Sequence, residues 1–484
     1  MPWMILIPLG ASTLSFLLGE RARWQLTAAA VAGQGWALAG LLMQVWEEGP
    51  QRHPVGGWGA PLGIDLRADG LSATMLTMTA LVGGFVSVYA LGCFSRDRAG
   101  GAYFWPLWWF LWAALNALFL SGDVFNLYVT LELLGLGAVA LVCLGGEPGA
   151  LVAGLRYLLA ALLGSLAYLM GVALLYGAHG TLALDQLGLL VRPGIASTVA
   201  AALMTVGLLL KTALFPLHYW LPPAHGGAPV PVSALLSGLV VKASFYILLR
   251  LWFEVFPAAL TPAWAQGLGG LGAAAIVWGA WHAFHQEKLK MLVAWSTVAQ
   301  IGYLFLLFPL ATSVAPAEAA LAWSGGVYQA LSHGLAKAAM FLAAGSMIHA
   351  TGEERVESLD GISRHLPLTL FTFALAGMNL MGLPPSGGFI AKWLLLESAL
   401  ASGQWGWVAV LITGALLTAG YVFRVLRHAF LPPRPDARVH VLPGYMELAA
   451  FALAIGSLLL GLTATFPLTL LEVGAPFAGV RAMP

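Results

Sequence analysis

Runs of about twenty apolar residues, the length a helix needs to cross a bilayer, recur along this chain and alternate with short polar connections. They fall at 3–19, 26–46, 71–94, 102–120, 122–144, 151–177, 195–215, 228–252, 264–284, 290–309, 320–349, 367–402, 405–430 and 444–471. The pattern predicts an all-α integral membrane protein with about fourteen transmembrane helices. The connections leave no room for a soluble domain of ordinary size, so residues 1–484 read as a single polytopic membrane domain. Two of the runs are interrupted: the seventh at Pro216 and again at Pro222-Pro223, the twelfth at Pro384-Pro385. Broken helices in corresponding positions of two halves point to inverted repeats around an ion site at the midplane. Spans four to eight (102–252) and nine to thirteen (264–430) are therefore expected to form two inverted five-helix repeats. Three N-terminal spans within 1–100 precede them, and a last span and tail, 444–484, follow.

Composition agrees, at 60% hydrophobic residues, 9% charged residues and a mean hydropathy of +0.85. The first run, Trp3 to Leu18, has no basic residue before it and no clear cleavage site, so it reads as a span and not as a signal peptide. A net charge of +1 offers no basic patch for nucleic acid. Cys93 and Cys143, each in an apolar context, leave nothing for an iron–sulfur cluster or a structural zinc, and no cofactor is expected. GLGGLG at 267–272 matches a dinucleotide fingerprint only formally, because it opens an apolar run and follows no strand. The partners this composition allows are other membrane subunits, lipid and small ions.

The basic residues set an orientation. Of the 22 Lys and Arg, thirteen fall on the side of the odd-numbered connections: Arg21, Arg23, Arg96, Arg98, Arg156, Lys288, Lys290, Arg355, Arg364, Arg424, Arg427, Arg434 and Arg438. Five fall on the other side: Arg52, Arg67, Arg192, Arg250 and Arg481. The positive-inside rule then places the odd connections in the cytoplasm and both termini outside, in a bacterial plasma membrane. The remaining four, Lys211, Lys242, Lys337 and Lys392, lie inside spans, although the chain has only six lysines. Arginine is thus expected at the surface and lysine in the interior, where an ammonium, unlike a guanidinium, can release its proton.

Glu132 is the one acidic residue near the middle of a span, and Glu397 lies towards the end of another. Each ionised group at the bilayer centre costs about 2.5–3.5 kcal/mol on insertion scales, so these side chains are expected to pair, to face internal water or to be neutral part of the time. The alternatives are snorkelling for the lysines and a structural hydrogen bond for Glu132. His333 lies four residues before Lys337 on the same helix face, which suits a proton relay or a packed histidine. His218 and His225 flank the seventh-span break, and His282 with His285 form a metal pair lacking a third ligand.

The ordered motifs resemble one family. SGDVFNLYVTLELLGLGAVAL is similar to the fifth-helix motif of the antiporter-like membrane subunits shared by Mrp cation/proton antiporters, respiratory complex I and membrane-bound hydrogenases, and places the family glutamate on Glu132. KTALFPLHYWLP carries the seventh-helix lysine as Lys211, PVSALLSGLVVKASFYILLR the eighth-helix lysine as Lys242, HGLAKAAMFLAAG the eleventh-helix lysine as Lys337, and GLPPSGGFIAKW the twelfth-helix lysine as Lys392. KLKMLVAWSTVAQIGYLF resembles the start of the tenth helix. The chain looks most like the D-type Mrp subunit or the N-type subunit of complex I, while HYWLPPAHGGAPVPVS looks more like hydrogenase members. Gln329 stands where many relatives have a histidine, and Glu287 where many have aspartate. The resemblance implies a proton-translocating subunit without a redox centre of its own, built into a multi-subunit complex that moves protons, with sodium as the second ion in the Mrp case. In that mechanism a Glu132–Lys211 pair opens and closes, Lys242 and Lys337 relay the proton with His333 alongside, and Lys392 loads or releases it. A stand-alone symporter and a non-transporting scaffold are the competing readings.

Overall fold

The computed structural model describes residues 1–94, 98–312, 314–432 and 440–477. Arg96, Arg434, Arg438 and Arg481, which enter the orientation count, lie outside the described residues. Helices α1 (Pro2–Leu18) and α2 (Arg23–Glu48) lead into a hairpin of β1 (Gln51–Pro54) and β2 (Asp65–Ala68), paired antiparallel with Gln51 opposite Ala68 and Pro54 opposite Asp65. This hairpin departs from an all-helical chain. Its Gly- and Pro-rich segment lacks a long apolar run and cannot bury a helix face. Then come α3 (Gly70–Cys93), α4 (Arg98–Phe119), α5 (Val124–Val142), α6 (Pro148–His179), the short α7 (Leu184–Leu190), α8 (Ile195–Thr212) and the short α9 (Leu221–Gly227). The second half holds α10 (Val230–Val255), α11 (Pro262–His285), α12 (Leu289–Ala311), α13 (Pro316–Thr351), α14 (Pro367–Met381), α15 (Gly387–Ala401), α16 (Trp405–Ala429), α17 (Gly444–Leu462) and α18 (Thr465–Glu472). Among the described residues, ten helices are long and apolar enough to cross a membrane, and α1 and α14 are shorter apolar helices.

Helix starts follow side-chain chemistry. The Asp69 carboxylate accepts from the Ser72 amide at 3.0 Å and caps α3. Asp123 accepts from the Phe125 and Asn126 amides at 2.8 Å and caps α5, and Ser386 accepts from the Phe389 amide at 3.2 Å to start α15. Each satisfies amides that the first turn leaves without an intrahelical partner.

The seventh-span break is only partly as expected. α8 ends at Thr212, and Ala213 turns the chain at φ 59°, left-handed backbone that an alanine rarely adopts. Pro222 and Pro223 cause no second break, because they occupy the first turn of α9, where proline's missing amide proton is not needed. The twelfth-span break matches: α14 stops at Met381 and α15 starts at Gly387, with Pro384-Pro385 between.

Burial ranks the helices. The most apolar window of α10 is 100% buried and that of α13 94%, against 28% for α2. α10 and α13 therefore form the middle of the molecule. They cross at Gly238 and Gly334, where a Cβ on either glycine would come 3.0–3.2 Å from the other's carbonyl oxygen. Glycine at both positions is what lets the backbones approach so closely. On the flank, Gly164 of α6 and Gly207 of α8 do the same more tightly, each blocking a Cβ on the other at 2.3–2.6 Å. A buried tryptophan stack on α4, Trp105, Trp108, Trp109 and Trp112, packs against α3, with the Trp108 indole donating to Ser87 at 2.8 Å.

Candidate functional site

A line of buried polar groups runs through the middle of the helices, and every lysine singled out from the sequence lies on it. At one end, the Lys211 ammonium on the last turn of α8 donates to the Glu132 carboxylate on α5 at 2.8 Å. The Lys211 side chain is 6% exposed and that of Glu132 20%. Glu132 also accepts from the Ser165 hydroxyl on α6. The Gly164–Gly207 crossing brings α6 and α8 close enough for this three-helix contact, and Lys211 Cγ itself lies 3.2 Å from where a Cβ on Gly164 would sit. A cavity of about 10 Å³, lined by Lys211, Tyr157, Gly135, Val240 and Ser244 among others, sits on the inner side of the pair. It is close to the room one water needs. Ser244 accepts from Thr212 at 2.8 Å and so continues the line onto α10.

Lys242 comes next. A π-helical segment of α10, Leu236–Val240, precedes it. Such a segment widens the turn and is frequent at functional sites. Here the Lys242 ammonium donates to the Ser237 carbonyl, five residues back. The Ser237 hydroxyl meets that of Thr297 on α12 at 2.9 Å. Lys337, on α13, donates to the Val293 carbonyl at 2.7 Å and to the Ser296 hydroxyl at 2.5 Å, both on α12. Its ammonium lies 5.3 Å from the centre of the Phe341 ring. Lys392, on α15, donates to the Leu380 carbonyl at 2.5 Å and the Met381 carbonyl at 3.3 Å, the free carbonyls of the broken α14. Its ammonium stands 4.1 Å from the Tyr303 ring centre. Between Lys337 and Lys392, Gln329 donates to Gln300 at 3.3 Å, and Gln300 donates to Thr418 at 3.2 Å.

Among the described residues, no carboxylate pairs with Lys242, Lys337 or Lys392. They are held by carbonyl and hydroxyl oxygens, which accept a hydrogen bond without neutralising a charge. His333 and His225 are each buried, with both ring nitrogens unpartnered. His225 stacks on Phe341 at 4.7 Å, the same ring that faces Lys337. Buried polar atoms of this kind are normally satisfied by protein or ordered water, and His333 lies one turn before Lys337 on α13.

Other expectations resolve differently. Glu397 is exposed. Glu287 forms an exposed pair with Arg355 at 3.1 Å. His218 and His282 both face the Trp295 ring, at 5.5 and 4.3 Å. The division of arginine outside and lysine inside fails at Arg250. It is 2% exposed on α10 and donates twice to Asp69, at 2.6 Å each, and to Glu254 at 2.5 Å. Arg67 completes the group, donating to Glu254 at 2.6 Å and to Asp69 at 3.0 Å. Two guanidinium groups and two carboxylates cancel, which is what allows Arg250 to be buried. Burial pushes the Asp69 carboxyl up, but Arg250 and Arg67 outweigh it and hold the group down at about 2. Sequence reasoning missed this cluster because Asp69 and Arg250 are 181 positions apart.

Comparison with known proteins adds a family to this geometry. Residues 121–418 match the family described as NADH:quinone oxidoreductase/Mrp antiporter, transmembrane. The chain is 37% identical over 434 residues to the N-type subunit of the NADH-quinone oxidoreductase of Desulforudis audaxviator, covering 85% of each chain. It is 29% identical over 471 residues to the D-type subunit of the Na(+)/H(+) antiporter of Bacillus subtilis, covering 95% of this chain and 92% of that one. Among solved structures it superimposes on a chain of the Mrp complex from Dietzia sp. with a TM-score of 0.89 and 25% identity, covering 99% and 98% of the two chains.

Proposed function

The chain belongs to the NADH:quinone oxidoreductase/Mrp antiporter transmembrane family, and from that premise we propose that it is the proton-translocating channel subunit of a multi-subunit membrane complex, most like the D-type subunit of an Mrp antiporter. The observation that carries the reading is the Glu132–Lys211 pair, 2.8 Å apart at the head of a buried file of amines. Closed, the pair holds a proton on Lys211. Opened, it leaves an ammonium without a counter-charge, which passes the proton inward through the small cavity towards Ser244 and Lys242. Lys337 takes it next, since α10 and α13 touch at Gly238 and Gly334, with His333 beside it. The Gln329–Gln300 bridge leads on to Lys392, which releases the proton beside the broken α14.

The same reading takes the helices as fourteen spans, with spans four to eight and nine to thirteen as inverted repeats. Each repeat then contributes one broken helix with a lysine beside the break: Lys211 at the end of α8, and Lys392 opposite the loose carbonyls of α14. In this reading both termini lie outside, on the strength of the Lys and Arg count in the connections. The partners are other membrane subunits, with protons and sodium as the ions and lipid around the rim.

The 37% identity to an N-type subunit favours a second reading, in which the same proton path serves a redox-driven complex. Proton uptake by vesicles carrying the purified complex tests both at once. Driven by an imposed sodium gradient, uptake that Lys211→Ala and Lys242→Ala abolish supports antiport. Uptake only on addition of an electron donor and a quinone supports the redox reading. Wild-type uptake by both variants overturns the proton path itself.

A further inference from the structure

One face of α10 carries Lys242, Tyr246, Arg250 and Glu254 at steps of four residues, so they form a single stripe from the middle of the molecule to its Asp69 end. Lys242, Tyr246 and Arg250 are each 2% exposed or less, and only the Glu254 side chain, at 16%, reaches towards water. A stripe of polar groups from a proton carrier to the surface is a short circuit unless something interrupts it. We propose that Arg250 is that interruption: clamped by Asp69 and Glu254, it is a fixed positive charge that seals the outer end of the stripe and obliges protons on Lys242 to leave sideways towards Lys337 and Lys392. This rests on Lys242 carrying protons, as proposed above.

Three observations carry it. Lys242 turns its ammonium away from this end, to the Ser237 carbonyl on the preceding turn. The next group outward, the Tyr246 phenol, is already engaged. It donates to the Phe119 carbonyl at 2.8 Å and shares a 3.2 Å contact with Ser72, which accepts from Arg250 at 3.0 Å. The group after that is a guanidinium, which does not give up its proton in a protein. A permanent positive charge across a narrow path repels a migrating proton, as arginines do in water-conducting pores. Asp69 and Glu254 anchor the guanidinium, which stands 5.0 Å from the Tyr246 ring and so is the charge the stripe presents next to Tyr246. A purely structural clamp between α3 and α10 would use the same bonds but would have no bearing on proton leak.

The test is passive proton leak in liposomes containing the assembled complex. No driving reaction is present, and internal pyranine follows acidification under an imposed potassium diffusion potential. Arg250→Gln is expected to raise the leak several-fold at equal complex content. Arg250→Lys, which keeps a charge there but on an amine that can release its proton, is expected to leak less than Arg250→Gln and more than wild type. Arg250→Gln combined with Lys242→Ala is expected to return the leak to the wild-type level, because the stripe then has no inner carrier. Should Arg250→Gln fail to assemble, Arg250→Gln combined with Asp69→Asn removes the guanidinium together with the carboxylate it neutralises and is expected to leak too. Tight vesicles from whichever variant assembles would overturn the proposal, as would a leak that Lys242→Ala leaves in place. Normal pumping by Lys242→Ala alone would instead overturn the role of Lys242, a separate result read in a separate assay.

Discussion

Replacing Glu132 by Gln removes one charge and almost nothing else. The amide keeps an oxygen for the Ser165 hydroxyl and the Lys211 ammonium, which now sits 2.8 Å from the carboxylate. At that distance and an effective dielectric near 20, two unit charges attract by about 6 kcal/mol. Desolvation of both groups offsets much of this, and removing one partner of a buried pair costs about 3–5 kcal/mol overall. A closing-and-opening pair needs only part of that difference to direct a proton. Each ~1.4 kcal/mol lost from the step slows it about tenfold, so transport by Glu132→Gln is expected to fall by one to two orders of magnitude. The assay is proton uptake by vesicles with the reassembled complex, normalised to the amount of this subunit. Glu132→Asp keeps the charge on a shorter arm and is expected to retain a measurable fraction. A Glu132→Gln complex that assembles and transports at the wild-type rate would refute the pair as the switch, whatever its distance.

Three further outcomes follow from the same geometry. Gly207→Ala would put a Cβ 2.3 Å from the Gly164 carbonyl oxygen and force α6 from α8, at a cost of about 1–3 kcal/mol. A lowered thermal midpoint of the purified complex and reduced transport are expected, whereas Gly177→Ala on the same α6, where a Cβ meets nothing within 4 Å, should change neither. Ser296→Ala deletes the hydroxyl that accepts from Lys337 at 2.5 Å but leaves the Val293 carbonyl; transport should fall several-fold with assembly intact, less than in Lys337→Ala, and equal losses would show that Ser296 supports the fold instead. Asp69 is held at about 2 in the folded chain against an ordinary value of 3.8. A depressed carboxyl stabilises fully above its unfolded value and loses that contribution as pH falls through the folded one. The thermal midpoint should therefore drop between about pH 4 and pH 2, and Asp69→Asn should lower the midpoint at neutral pH and flatten that window.

What could be read from the chain alone was whatever is local. The apolar runs, the prolines that interrupt two of them, and four lysines with no place in an apolar helix are visible within a few residues. Lys211 lies on the last turn of α8, and Lys392 faces the last carbonyls of α14. The partners were not visible, because partnership here is a matter of helix crossings. Glu132 and Lys211 are 79 positions apart, and only family resemblance joined them beforehand. Ser165 and Ser296 looked like ordinary small residues in apolar runs, yet Ser165 holds the Glu132 end of the file and Ser296 holds Lys337 in its middle. Pro222-Pro223 read as a second break because proline spacing does not say whether a helix is ending or starting. Arg250 was assigned to the surface because it stands near the end of the 228–252 run; Glu254 lies four residues on, but Asp69, which takes two of its hydrogen bonds, is 181 positions away.

The way the charges are balanced bears on how the file works. Arg250 is buried with full compensation and is therefore permanent, while Lys242 and Lys337 are buried with oxygens alone and are therefore changeable. Those two lysines sit on helices that touch at paired glycines, so two protonated amines there would repel with no carboxylate among the described residues to offset them. On the proposed path this repulsion favours one proton shared between the two sites, and arrival of a second from Lys211 would push the first towards Lys392. Such a relay needs no large helix movement, only the opening of the Glu132 pair at one end and a free acceptor at the other. It also explains why the counter-ion is placed at Lys211: a carboxylate beside Lys242 or Lys337 would trap the proton midway.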